Sequence, residues 1–279
     1  MGEDSFSSHF PTPSGTQAKG FIYMADFRNF RPTSVTEADA SIDQGLRSYM
    51  LGVYNAMAIG LVITGIAAFV IASLATTSDP TPAVLPNGVR LSSFGVMFYT
   101  SPFAYVVMFA PLIAVFFLSF KIGSLSTSSA RALFFVYAAL VGLSLSSIIL
   151  RYTPASITQT FFITAASFGA LSLYGYTTKR DLTGMGSFLF MGLIGLLLAM
   201  VVNLFLGSNA LQFAISIIGV LIFAGLTAYD TQTIKVMYYE GDAEETRGRK
   251  VVMGALTLYL DFINMFVFLL QFLGQNRNS

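Results

Sequence analysis

The 48 residues from Leu182 to Tyr229 carry no charged side chain, and neither do those from Ser48 to Ser78. A helix needs about 20 apolar residues to cross the roughly 30 Å of bilayer hydrocarbon, so the first run is too long for one crossing and the second suits one. Lipid offers backbone N–H and C=O groups no partner, so such runs fold as helices that satisfy their own hydrogen bonds. Composition agrees, with 54% hydrophobic residues and 10% charged, where a soluble domain carries about a quarter charged.

Charges and helix breakers place the spans. Span one is predicted from about Met50 to Leu74, ahead of the Pro- and Gly-rich DPTPAVLPNG (Asp79 to Gly88). Span two runs from about Pro102 to Phe120, before Lys121; span three follows Arg131 and ends before Arg151. Span four covers about Ala155 to Tyr176 and stops at Lys179-Arg180-Asp181. The polar break Gly207-Ser208-Asn209 divides the long uncharged run into spans five and six, and span seven runs from near Val251 to near Leu273. The expected class is an all-α membrane protein of seven transmembrane helices. Residues 1–45, rich in Ser, Thr, Pro and acids and without a signal peptide or a full myristoylation motif, read as a flexible cytoplasmic tail. Residues 46–274 form the membrane domain and 275–279 a short tail. Alternating sides hold twelve Lys and Arg against three (Arg90, Arg151, Arg277), which predicts a cytoplasmic N-terminus and an outward C-terminus.

Several chemistries are excluded by count. The chain has no cysteine, which removes thiolate catalysis, disulfides and Cys-built metal centres, and its one histidine, His9, lies in the tail. No Ser/His mechanism, His-Glu metal pattern or phosphate loop is available, and a net charge of +1 without a basic stripe gives no surface for nucleic acid. Neither a cofactor nor enzymatic activity is expected. The bilayer is the first partner.

Two acids stand out. Asp261 lies about nine residues into span seven, roughly 13 Å deep at 1.5 Å per residue. A charge at mid-bilayer costs at least ~2.5–3.5 kcal/mol, so Asp261 should face the bundle interior. Asp230 closes span six, and if that helix continues to about Tyr238 its carboxyl lies ~12 Å from the same end. Spans six and seven share one loop and run antiparallel, so the two carboxyls can meet at one level. Two carboxylates in a poorly solvated site cannot both ionise cheaply, so one proton would be shared. Protonated, the pair ties the helices by a hydrogen bond; deprotonated, it repels and presents oxygens suited to a hard cation such as Ca²⁺. Tyr229-Asp230 matches the Tyr-Asp dipeptide of intramembrane aspartyl proteases, but Leu258-Tyr259-Leu260-Asp261 lacks their Gly-x-Gly-Asp, so proteolysis is the weakest reading. Asn203 in span five is a candidate path-lining group, as is Gln212 in span six, and packing is an equal reading for both. Asp181 is placed to cap span five, and glycines inside the spans, among them Gly60, Gly65, Gly142, Gly169, Gly195, Gly219 and Gly225, read as packing positions.

Three segments, LYGYTTKRDLTGMGSFLFMGLIG (Leu173 to Gly195), AYDTQTIK (Ala228 to Lys235) and ALTLYLDFINMFVFLLQFLG (Ala255 to Gly274), together resemble the transmembrane Bax inhibitor motif family, and the span six to seven loop fits its bacterial branch. The resemblance implies a seven-helix bundle with a central helix enclosed by the others. It also implies a pH-sensitive Ca²⁺ leak of the bacterial inner membrane, gated by an aspartate pair that falls on Asp230 and Asp261, with Ca²⁺ as the permeant ion. Such a gate has a competing arginine near the cytoplasmic end of span two, for which the candidates here are Lys121 and Arg131. The alternative implied is a modulator bound to a membrane-anchored ATP-dependent protease.

Overall fold

A computed structural model describes the backbone of residues 33–81 and 83–277, and side chains from Gln44 onward. The first 32 residues of the expected tail, His9 included, lie outside the described residues. Eight α-helices follow in order: α1 Thr33–Ala75, α2 Ser93–Thr100, α3 Phe103–Lys121, α4 Thr127–Arg151, α5 Pro154–Thr177, α6 Thr183–Leu206, α7 Asn209–Val236 and α8 Glu244–Leu273. All but α2 contain a stretch long and apolar enough to cross a membrane, seven in total among the described residues. Helix α1 starts earlier than expected, so positions 33–45 are helical rather than coil; no proline interrupts the chain between Pro32 and Pro80. Helix α7 stops at Val236 instead of running to Tyr238.

Local chemistry sets the ends. Ser126, Thr153 and Ser208 each accept a hydrogen bond from the backbone N–H three residues on, opening α4, α5 and α7. Between α6 and α7 the chain reverses at Gly207, whose φ of 60° is the left-handed conformation that glycine adopts without strain. Asp181 Oδ1 accepts from both the backbone N–H and the hydroxyl of Thr183, at 2.9 and 2.6 Å, so it serves the start of α6 as expected. Those two hydrogen bonds hold the exposed Asp181 carboxyl below the usual carboxylate range.

The bundle is built around α8, which packs against α7, α5 and α4. Val252, Ala255, Leu258 and Tyr259 of α8 are completely buried. Helix α3 is the opposite case: Leu118 is its one buried residue, and Phe120 is 84% exposed. In a bilayer that apolar surface faces acyl chains and costs nothing.

The segment between spans one and two is more ordered than its composition suggests. Isolated antiparallel bridges pair Thr76 with Leu91 and Val84 with Arg90 around a turn at Gly88, and α2 then returns the chain to α3. Tyr99 of α2 donates to Ser146 of α4 at 2.7 Å, and Asn87 donates to the Leu150 carbonyl at 2.6 Å, tying this cap to the bundle. The C-terminal residues also join: Thr153 N–H donates to the Gln275 carbonyl and Arg277 N–H to that of Arg151.

Candidate functional site

Helices α7 and α8 are antiparallel neighbours joined by the short loop from Met237 to Ala243, and their contact is the most extensive in the bundle. Across that seam Asp230 and Asp261 come together on the wall of one cavity. Asp261 is 4% exposed, and its Oδ2 has no hydrogen-bond partner. Asp230 is half-buried. Both line a cavity of about 660 Å³ between α6, α7 and α8, with Ser187, Phe190, Tyr229, Thr257 and Asn264 among its walls.

Helix phase explains the composition of the wall. Thr257, Asp261 and Asn264 stand at i, i+4 and i+7, the spacing that puts three residues on one face of a helix. The Asn264 side chain donates its amide to the Leu260 carbonyl at 2.8 Å, and the Thr257 hydroxyl donates to Met253 at 3.1 Å. Their side-chain oxygens are neutral acceptors on the same cavity wall as the two carboxyls. On α6, a Cβ at Gly186 would lie 2.4 Å from the Tyr229 ring, so the absence of a side chain there seats Tyr229 at the cavity rim. Gln232, two residues after Asp230 on α7, receives the Leu182 N–H at 2.9 Å and donates to the Arg180 carbonyl at 2.8 Å, pinning the α5–α6 loop to α7.

The other predicted residues fall elsewhere. Lys121 ends α3 and Arg131 lies in the second turn of α4; both are exposed, and among the described residues no lysine or arginine lines the aspartate cavity. Lys235 and Lys250, the basic residues of α7 and α8 closest to it, are committed to the Tyr176 carbonyl at 2.8 Å and to Asp242 at 2.5 Å. Asn203 lies at the opposite end of the bundle. Its Oδ1 accepts the Ser208 N–H at 3.0 Å and its amide donates to Gln212 at 3.2 Å. Gln212 in turn donates to Gln271 at 2.9 Å, and all three border a second cavity of about 600 Å³. Asn203 and Gln212 thus share a cavity, separate from that of the aspartates.

Thr257, Asn264 and Gln271 were not singled out in the sequence, although their spacing from Asp261 carries the signal. Among the described residues no group of three or more His, Cys, Asp or Glu is placed to hold a metal ion. Two carboxyls with neutral oxygens beside them are groups that can share a proton and whose oxygens suit a hard cation.

Residues 46–278 match the model of the family described as inhibitor of apoptosis-promoting Bax1. An uncharacterized protein of Caulobacter vibrioides is 47% identical over 257 residues, covering 91% of this chain and all of the relative. The inner membrane protein YbhL of Escherichia coli is 46% identical over 235 residues, 84% of this chain and 94% of YbhL. A protein of Rickettsia prowazekii is 47% identical over 245 residues, 88% of this chain and 97% of its own length. A helical bundle with seven membrane-spanning segments, matched by the family model along its whole membrane body and by bacterial relatives at nearly half identity, belongs to the Bax inhibitor family of membrane proteins.

Proposed function

We propose that this chain is a pH-sensitive Ca²⁺ leak of a bacterial inner membrane, opened by deprotonation of the Asp230/Asp261 pair. One observation carries the reading: two carboxyls meet inside a membrane bundle, on the wall of a cavity, with one Asp261 oxygen unpartnered. A purely structural carboxyl would be tied to a helix carbonyl, a hydroxyl or a cation. When the pair holds a proton it bridges α7 and α8; when it loses that proton the two charges repel across the tightest seam in the bundle. The same event presents up to four carboxylate oxygens beside Thr257 and Asn264. Ca²⁺ prefers six to eight oxygens, so two acids suit an ion in transit better than a stored one.

Purified protein in liposomes, loaded with a Ca²⁺ indicator, tests the reading. Influx should rise severalfold as pH is raised, because the pair then loses its proton. Asp230→Asn and Asp261→Asn each replace a titrating carboxyl by a neutral isostere, so each should hold influx at the low-pH level throughout. Wild-type protein that passes no Ca²⁺ at any pH, or an Asn variant that keeps the wild-type profile, would overturn it.

A further inference from the structure

We propose that Phe223 and Phe268 form an apolar seal across the α7–α8 seam, closing the aspartate cavity from the polar vestibule at the other end of the bundle.

The seam is layered. Phe223 stands seven residues before Asp230 on α7, and Phe268 seven residues after Asp261 on α8. The helices are antiparallel, so both displacements run the same way, about 10.5 Å toward the α6–α7 turn. At that level the two rings stack with centroids 5.9 Å apart and planes 23° from parallel, and they are only 7% and 5% exposed. Gly219 makes the room: a Cβ there would lie 2.6 Å from the Phe268 ring. One further layer out, Gln271 accepts from Gln212 at 2.9 Å and from the Ser216 hydroxyl at 3.3 Å, and borders the vestibule cavity.

Along α8 the sequence of faces is therefore Thr257, Asp261, Asn264, then Phe268, then Gln271: polar, apolar, polar. The aspartate cavity reaches Gly186 in the first turn of α6, close to the end that carries the α7–α8 loop, with Phe223 in its wall; toward the other end it continues along α6 to the apolar Leu193 and Leu197. A ring pair flanked by polar groups on both sides is the arrangement of a hydrophobic constriction, which excludes water and ions without a charged barrier. The proposal extends the leak reading by naming what holds the path shut on one side, and its test is independent of Ca²⁺ conduction.

The chain has no cysteine, so a single introduced thiol reports without background. Asn264→Cys places it on the aspartate side of the rings and Gln271→Cys on the vestibule side. Full-length protein in liposomes is exposed, on the α6–α7 side only, to a membrane-impermeant cationic methanethiosulfonate. Gln271→Cys should react readily, and Asn264→Cys should be protected. Adding Phe268→Ala to Asn264→Cys should raise its rate at least about tenfold, and Phe268→Leu, which keeps apolar bulk, should not. Phe223→Ala is the second opening variant should Phe268→Ala fail to fold. Equal rates at position 264 with and without the ring, no reaction in either opened variant, or an unreactive Gln271→Cys each overturns the seal. If wild-type protein passes no Ca²⁺ at any pH, the leak reading falls while the labelling pattern still decides the seal.

Discussion

At Gly175 the backbone of α5 approaches α7 so closely that a Cβ would lie 2.1 Å from the Ala228 carbonyl oxygen. Atoms cannot share that space, and a backbone carbonyl does not rotate away as a side chain does. Gly175→Ala should therefore push α5 off α7, two residues from Asp230, at a cost of at least about 1–3 kcal/mol, read as a lowered unfolding midpoint in detergent. Whether a glycine matters in this way was only partly legible in the sequence. Gly60, Gly142, Gly219 and Gly225 do meet a neighbouring helix, whereas Gly65, Gly169 and Gly195 face open space. Glycine spacing cannot separate the two groups, because the answer depends on which way each helix is turned. The aspartates were legible for the opposite reason: an acid in a long uncharged run has one affordable direction, inward. Thr257 and Asn264 were missed because Thr and Asn occur throughout membrane helices as packing groups, and only their phase relative to Asp261 sets them apart.

Elements meet here through hydroxyls as well as through apolar packing. The Thr64 hydroxyl of α1 lies 2.6 Å from the Tyr259 hydroxyl of α8, and reaches the Ala138 carbonyl of α4 at 2.9 Å and its own Gly60 carbonyl at 3.0 Å. One hydroxyl carries one proton, so Tyr259 donates to Thr64 and Thr64 donates onward to a carbonyl. Phe134 and Tyr137 pack edge-on against the Tyr259 ring and hold it in place, at 5.6 and 5.9 Å between centroids. A second relay links α1, α5 and α7: Thr231 donates to Thr227 at 2.7 Å, so Ser172 donates to Thr231 and Tyr54 to Ser172. In the first relay, Tyr259→Phe and Thr64→Val should each destabilise the bundle. The double variant should lose less than the sum, by about 1 kcal/mol, in a double-mutant cycle of detergent unfolding. Additive losses would mean that the contact contributes nothing. Spans were legible as uncharged runs, but their contacts were not, because a membrane helix is apolar on its lipid face as well as its buried one. Phe120 and Phe205, both 84% exposed, look like core residues by composition. Inside-out contrast survives in the buried polar groups, among them Thr64, Ser172, Thr227, Thr231 and Asp261. The bridged turn and α2 escaped notice for another reason: they are too short to show a period.

For the whole molecule, the uneven placement of basic residues makes the two ends of the bundle chemically different, and this bears on which compartment controls the aspartates. The loops α3–α4, α5–α6 and α7–α8 share one end, and these loops together with the helix ends beside them carry most of the basic residues; the turn at Gly207 and the C-terminal Arg277 share the other. By the retention of Lys and Arg in the cytoplasm, the first end is the expected cytoplasmic side. The aspartate cavity reaches Gly186 near that same end, and the proposed Phe223/Phe268 seal lies toward the other. If the assignment and the seal both hold, protons reach the pair from the cytoplasm. Single cysteines in the cysteine-free chain test the first half: Ser124→Cys, Lys179→Cys and Glu244→Cys should react with an impermeant reagent only from the cytoplasmic face, and Asp79→Cys and Asn209→Cys only from the outer one. Reactivity of Lys179→Cys and Glu244→Cys from opposite faces would break the seven-span topology itself. The second half follows in oriented liposomes with a pH step on one side at a time. Ca²⁺ influx should follow the pH at the α7–α8 end and ignore the other, and Phe268→Ala should make it sensitive to both. A wild-type response to the far side alone would place the proton route across the rings and contradict the asymmetry.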